Sequence, residues 1–464
     1  MTHALPPYPD YKESGIAWLG QVPKHWEVHT FRQVAHATKG SQPQRLYLEH
    51  EAPAEAKPYL TMEYLRAPQG NPKFYCVPSN GDVVANAGDI LLLWDGANAG
   101  EFFVAKEGVV SSTAALLQVA HCHTRYLYFV LKQCEPLLRA FSTGMGIPHV
   151  DGRTLRQMPI PLPPLAEQAA IVRFLDFVDG RIRRYTHAQQ RVIDRLTEYK
   201  QAVIHQAVTG KIDVRTGAPY PAYKDTGIEW LGQVPKHWEL KPLKHWVRMN
   251  ARTLPETTPA DYEFRYIDIG TVGTGYLLKE PQVMRFGEAP SRARRVVQAG
   301  DTIISTVRTY LKAVYYVDGD PDALVCSTGF AVLTPRQGTH PKFVSYLVQS
   351  DSFANCVSAE SVGTAYPAIT EGQLGRFYVA IPPLAEQAAI VQYLDEQTAR
   401  LDAAIAAVQR RLALVGEYRA RLIADVVTGK LDVRAVAAEL PHDTDAPTDT
   451  ETYGEAYHVG DAVP

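Results

Sequence analysis

Cysteine is scarce in this chain: five in 464 residues, with no CxxC pair and one left over under any pairing. That excludes a disulfide framework and argues for reduced thiols in a cytoplasmic protein. His121-Cys122-His123 has the composition of a metal site. Neighbouring side chains on a strand point to opposite faces, however, and no second cluster accompanies it, so no metal site is expected. No apolar run approaches the ~20 residues that span a bilayer, and the opening MTHALPPYPDYKESG has no basic start followed by an apolar stretch. Neither a membrane helix nor a signal peptide is expected. Recognisable catalytic loops are also missing. There is no Asn-Pro-Pro-aromatic motif for base methylation (NPKF at 71–74 departs from it), no Walker A sequence, and GTVGTG at 270–275 lacks dinucleotide-loop spacing. No catalytic residue is assigned.

Nor is there an excess of charge. The formal sum is −3, but it is unevenly spread. Residues 435–464 hold seven acids (Glu439, Asp443, Asp445, Asp449, Glu451, Glu455, Asp461) and no Lys or Arg, leaving 47 bases against 43 acids before them. This stretch, rich in Asp, Thr, Ala and Pro and without periodicity, reads as an acidic disordered tail.

What the chain does have is repetition. Pro7–Glu27 and Pro219–Glu239 agree without a gap at 17 of 21 positions, including GIAWLGQVPKHWE against GIEWLGQVPKHWE. PPLAEQAAIVRFLD (163–176) and PPLAEQAAIVQYLD (382–395) share 12 of 14, and VTGKIDVR (208–215) recurs as VTGKLDVR (427–434). The chain is two half-molecules with the same order of parts. Between the repeats, 29–160 and 241–379 diverge, keeping only anchors such as NAGDIL beside QAGDTI (86–91, 298–303) and SST beside CST (111–113, 326–328). Both middles read as short β-runs broken by Gly, Pro and Asp, with one helix each at 124–141 and 341–357.

After each Pro-Pro the period changes. Apolar residues at alternating steps of four and three (Ile171, Leu175, Val178, Ile182, Tyr185, Val192, Leu196, Tyr199, Val203; then Leu401, Ile405, Val408, Leu412, Val415, Leu422, Val426) predict long helices over 165–208 and 384–428, with Gln189 the one polar member of the first run and Arg419 interrupting the second. Gly210 and Gly429 stand where a left-handed cap belongs. The expected fold is α+β: two α/β domains joined by two long antiparallel coiled-coil helices in a pseudo-twofold repeat. The expected boundaries are 1–160 for the first domain, 161–215 for the first helix region, 216–380 for the second domain, 381–434 for the second helix region and 435–464 for the tail.

This order of parts, with IPLPPLAEQAAIV (160–172), IPPLAEQAAIV (381–391), the GIxWLGQVPKHWE phrase opening each half and AGD[IT][LI] within each middle, resembles the specificity subunit of Type I restriction–modification systems over residues 7–434. The resemblance implies that each middle is a target recognition domain for half of a split double-stranded DNA site, with the helices as spacer. It further implies that the repeated segments dock two methyltransferase subunits, that a restriction and translocase subunit joins that core, and that the N-terminal repeat lies near the end of the second helix. The chain itself would be non-catalytic. Adenine methylation and ATP-dependent cleavage, with S-adenosylmethionine, ATP and Mg, would belong to the partners, and a flipped adenine would be handled by them as well.

The residues themselves argue in the same direction. A duplicated surface suits duplicated partners, diverged middles suit unlike targets, and a stiff spacer suits a bipartite ligand. The competing reading is a coiled-coil scaffold with two protein-binding heads. Base edges and phosphates call for basic, amide, hydroxyl and aromatic side chains in exposed loops. The candidates for DNA contact are Lys39, Lys57, Trp94, Asn98, Thr113, Thr143 and His149 in the first half. In the second half they are Arg292, Arg294, Arg295, Arg308, Tyr310, Lys312, Thr364 and Tyr366. Trp18, Trp26, Trp230 and Trp238 are candidates for partner docking, against the alternative that they pack each domain onto a helix end.

Overall fold

The computed structural model describes residues 5–67, 70–141, 148–319, 322–363 and 367–441. They fall into two compact units whose divisions lie inside the long helices: one comprises residues up to Ala188 and those from Arg411 on, the other Gln189–Arg410. The helices run Leu165–Val208 and Leu384–Val427, 44 residues each, within a residue of the limits expected from apolar spacing and the flanking Pro and Gly.

Each unit holds a head of the same design. In the first, strands Ala35–Lys39, Ala114–Val119, Ile90–Leu93 and Phe102–Val104 form a sheet in that order; in the second, Val247–Met249, Phe330–Pro335, Thr302–Ser305 and Val314–Tyr316 do so. A second four-stranded sheet in each head contains one parallel pair, Lys57–Leu60 with Gly108–Val110 and Glu263–Ile267 with Leu324–Ser327. Alternate strand residues such as Ile90 and Leu92, or Ala331 and Leu333, enter a large core shared with helix residues Ile171 and Leu175, or Ile390 and Leu394. The helix expected over 341–357 is two, Pro341–Gln349 and Asp351–Ala359, broken at the buried Ser350.

The third repeat explains how the units are built. In the second unit, Gly210 follows the end of the first long helix at φ +67, so close to Pro235 that a Cβ would collide with the proline ring. In the first unit the same place is taken by Gly429, at φ +76 against Pro23. The N-terminal phrase thus seats on residues from the far end of the chain. The backbone N–H of Asp432 donates to the Pro6 carbonyl at 2.8 Å, and Leu422, Ile423, Val426, Val427 and Val433 join the core around Trp26. The acidic tail does not begin as expected. Arg434–Glu439 is helical, and Ala437 and Leu440 are buried in the same core because the seated chain end offers them an apolar floor. Residues 442–464 lie outside those described.

The helical seam also differs from its expected form. Within the first unit Arg419, the residue that breaks the apolar spacing, makes a bidentate pair with buried Asp179 at 2.8 and 2.7 Å. Within the second, Lys200 binds Asp402 at 2.7 Å. Tyr185, Val192 and Tyr199, expected in the seam, are exposed, Tyr199 by 58% and its repeat Tyr418 by 60%. A strict 3.5-residue spacing drifts by ~20° per heptad around a 3.6-residue helix, which carries these residues off the contact.

Gly429→Ala should destabilise the first unit, and Gly210→Ala the second, by about 2–3 kcal/mol each, since both a left-handed conformation and a proline contact are lost. Urea unfolding of each variant measures this. A loss under 0.5 kcal/mol would show that the seat is not tight.

Candidate nucleic-acid interface

Two side chains of the repeated PPLAEQ segment hold each head in place. Glu167 is buried in the first turn of its helix, where a carboxylate suits the N-terminal dipole. It accepts hydrogen bonds on one oxygen from Tyr8 Oη (2.7 Å) and Trp26 Nε1 (2.9 Å), and His25 Nε2 lies 2.8 Å from the other. Glu386 repeats the arrangement with Tyr220 (2.5 Å), Trp238 (2.8 Å) and His237 (2.9 Å). Burial first, and the carboxylate second, raise the Tyr8 and Tyr220 phenols far above their usual range, so both stay donors. The next residue, Gln168 or Gln387, accepts from the backbone N–H of His123 or His340, at the start of the head's own helix.

This corrects part of the docking assignment. Trp26 and Trp238, at 0% and 1% exposure, are internal ligands of these carboxylates and offer no surface to a partner. Trp18 is exposed, while Trp230 is half-buried with its ring edge-on to Phe353 at 5.6 Å.

On the first head the structure gathers four of the candidate DNA contacts. Lys39 ends its strand with Nζ 2.5 Å from Asp95 Oδ2, and His149 Nδ1 lies 2.5 Å from Asp95 Oδ1. The Thr113 carbonyl accepts from the backbone N–H groups of Trp94 and Asp95, and Trp94 in turn accepts from Val150 N–H. Asp95 is thus a half-buried carboxylate spanned by two exposed donors. Burial raises its pKa, but the hydrogen bonds from Lys39 and His149 outweigh that and leave it below the usual carboxylate range. Trp94 is half-buried against the core, and Asn98 is exposed on the turn that follows. Lys57 is elsewhere, on the other sheet, paired with Glu107 at 2.8 Å. Thr143 lies outside the described residues.

On the second head the three arginines do not act as one cluster. Arg292 reaches Asp268 at 2.8 Å and is exposed. Arg294 lies over the Phe286 ring at 4.4 Å, and Arg295 turns inward to Glu371. A bulge between Ala293 and Arg295, on a strand whose side chains alternate, separates them. Arg308, Tyr310 and Lys312 share a single turn. This turn is joined to Arg292 through the bonds Thr306 N–H to Gly329 O and Thr328 N–H to Arg292 O, both 2.8 Å. Thr364 and Tyr366 lie outside the described residues, but the segment beyond them pairs with this turn, Ala368 bridging Val307.

The backbone frames of the two sites match residue by residue. The bridge Asp95–His149 recurs as Val307–Ala368, and the bond from Val150 N–H to Trp94 O recurs as Ile369 N–H to Thr306 O. Strand registers Ile90 with Val104 and Thr302 with Tyr316 confirm the alignment. By that register Lys39, Asp95, Thr113 and His149 are matched by Ala251, Val307, Gly329 and Ala368, so the side chains are exchanged while the frame is kept.

A family model described as "Type I restriction modification DNA specificity domain" matches residues 23–193 and 235–410, one copy for each repeat. The chain is a member of that family. It is similar to the Type I restriction enzyme MjaVIII specificity subunit of Methanocaldococcus jannaschii, 27% identical over 91% of this chain and 97% of that one. The EcoDI specificity subunit of Escherichia coli is 23% identical over 78% and 82%. A solved chain from a study of assembly and conformational transition in the type I R-M system shares the fold, with TM-score 0.62, 17% identity and coverage of 88% and 99%. Among the described residues of this specificity subunit, no group of three or more His, Cys, Asp or Glu is placed to hold a metal ion, and no helix is long and apolar enough to cross a membrane.

Asp95, which organises the first site, carried no signal in the sequence. It sits in an ordinary WDG turn, and its partners are 56 residues before it and 54 after it. Glu167 and Glu386 did carry one, since each repeats together with the tryptophan phrase it binds.

Burial raises the Glu386 carboxyl, but donors Tyr220, His237 and Trp238 outweigh it and hold the pKa below its ordinary value. Stability from this group is therefore complete above the unfolded glutamate pKa of about 4.3 and is lost as pH falls through the lower folded value. Glu386→Gln should lower the unfolding midpoint at neutral pH and flatten its acid limb. Calorimetry across a pH series checks this, and an acid limb as steep as in the parent chain would refute it.

Proposed function

We propose that this specificity subunit reads a bipartite, asymmetric site on double-stranded DNA, each head taking one half. The observation that carries the reading is the contrast within the chain. The seating elements around Glu167 and Glu386 are duplicated nearly letter for letter. The matching frames carry Lys, Asp, Thr and His in one head and Ala, Val, Gly and Ala in the other. The repeated segments that form these seats also carry exposed residues, Trp18 among them, and duplicated surfaces suit two copies of one partner, while different faces suit two different half-sites.

On this reading two methyltransferase subunits dock on the duplicated surfaces, with Trp18 at one of them, and a restriction subunit is carried through that core. Adenine methylation and cleavage, with S-adenosylmethionine, ATP and Mg, fall to those partners, and this chain is non-catalytic. In the first head Lys39 and His149, aimed by Asp95, supply donors for phosphate or for the N7 and O6 acceptors of guanine in the major groove. The long helices act as the ruler between half-sites.

Two measurements test this. With the methyltransferase partner present, filter binding of duplex DNA should weaken steeply as salt rises. Lys39→Ala should then reduce the slope of log K against log salt by about 1 if Nζ meets a phosphate. Binding that ignores ionic strength would favour a protein-binding scaffold instead. Separately, inserting four residues into both helices, after Val178 and at the facing level before Arg419, adds just over one turn and ~6 Å, close to the rise of two base pairs. Methylome sequencing should show the half-sites about two base pairs further apart; an active variant with unchanged separation would refute the ruler.

A further inference from the structure

The turn Arg308–Lys312 is built differently from its counterpart Gly96–Gly100. Both follow the same strand, and both close with matching bonds: Ala99 N–H to Gly96 O and Leu311 N–H to Arg308 O, each 2.9 Å. In the first head the two ends of the turn are glycines at φ +116 and +95. In the second head the same two places hold Arg308 at φ +52 and Lys312 at φ +48, a left-handed conformation that L side chains seldom adopt. Glycine would occupy both positions without strain, so the local backbone does not ask for these side chains.

The turn is fastened by two of its residues. Buried Thr309 donates from Oγ1 to Ser361 Oγ at 2.9 Å, and Lys312 Nζ binds Asp351 Oδ1 at 2.6 Å. Arg308, Tyr310 and Leu311 are exposed, Tyr310 by 57%. Their counterparts in the first head are Gly96, Asn98 and Ala99. Lys312, a candidate for DNA contact by sequence, is thus an anchor of the turn. Non-glycine residues in the left-handed region cluster at binding sites, where the surrounding structure holds them for function. A cation, an aromatic ring and an aliphatic side chain fixed on one turn match a duplex, which offers phosphate or guanine acceptors to the arginine and a sugar or a thymine methyl to the ring.

We infer that Arg308 and Tyr310 are specificity-determining residues of the second head, held against the duplex by the Thr309 and Lys312 ties, while the glycine turn of the first head lets the backbone approach without such contacts. This rests on the DNA-reading function proposed above.

The test uses the full chain assembled with its methyltransferase partner and a pool of random-sequence duplexes, selected by binding and sequenced. The parent complex should yield a two-part motif. Arg308→Gly should keep or raise the thermal midpoint, weaken binding to the parent motif by about tenfold, and blur one half of the motif while leaving the other intact. Tyr310→Asn, which installs the first head's residue, should blur the same half. Lys312→Gly should blur it less and loosen the turn, seen as faster amide exchange at 308–311. If the parent complex selects a two-part motif and Arg308→Gly and Tyr310→Asn select it with equal affinity, the inference is wrong and the DNA-reading function stands. If the parent complex selects no two-part motif, both fail.

Discussion

The buried carboxylate at the start of each long helix is the interaction on which the rest of the molecule depends. Glu167 and Glu386 are placed by a Pro-Pro helix start and removed from water by the phrase that opens each half. A carboxylate so buried is costly unless its lone pairs are filled, and three donors from one short segment fill them. The following glutamine turns the other way and takes the backbone of the head's own helix. Two adjacent side chains therefore fix the opening phrase and the head to one helix end. Near-identity is kept in this junction, whereas the exposed faces of the heads differ.

That division explains what was legible in the sequence. The long helices could be bounded to within a residue because period, Pro-Pro starts and glycine stops are local signals. The head frame was legible only as short β-runs, because the order of strands depends on which residues meet across the sheet. The tryptophans show the limit of residue type as a guide. Trp18 and Trp26 stand in one repeated phrase, yet one is exposed and the other wholly buried, and only the position of Glu167 decides which.

The candidate contact residues follow the same logic. Lys39, Trp94, Thr113 and His149 converge because three backbone bonds draw their segments together, and Asp95 binds two of the side chains. Lys57 has the same chemistry but belongs to the other sheet, and Arg295 has the right charge but is turned inward. Type and loop context pointed to segments that the fold brings together in part. Direction and pairing, which are tertiary properties, separated the members.

The seating of the N-terminal phrase on residues near Gly429 also bears on synthesis. A ribosome releases residues 189–410 as an uninterrupted stretch, able to close on itself. The earlier-made head must wait with Trp26 uncovered until Leu422–Leu440 has emerged. The part translated first is thus completed last, and a truncation before Leu422 would strike the amino-terminal head.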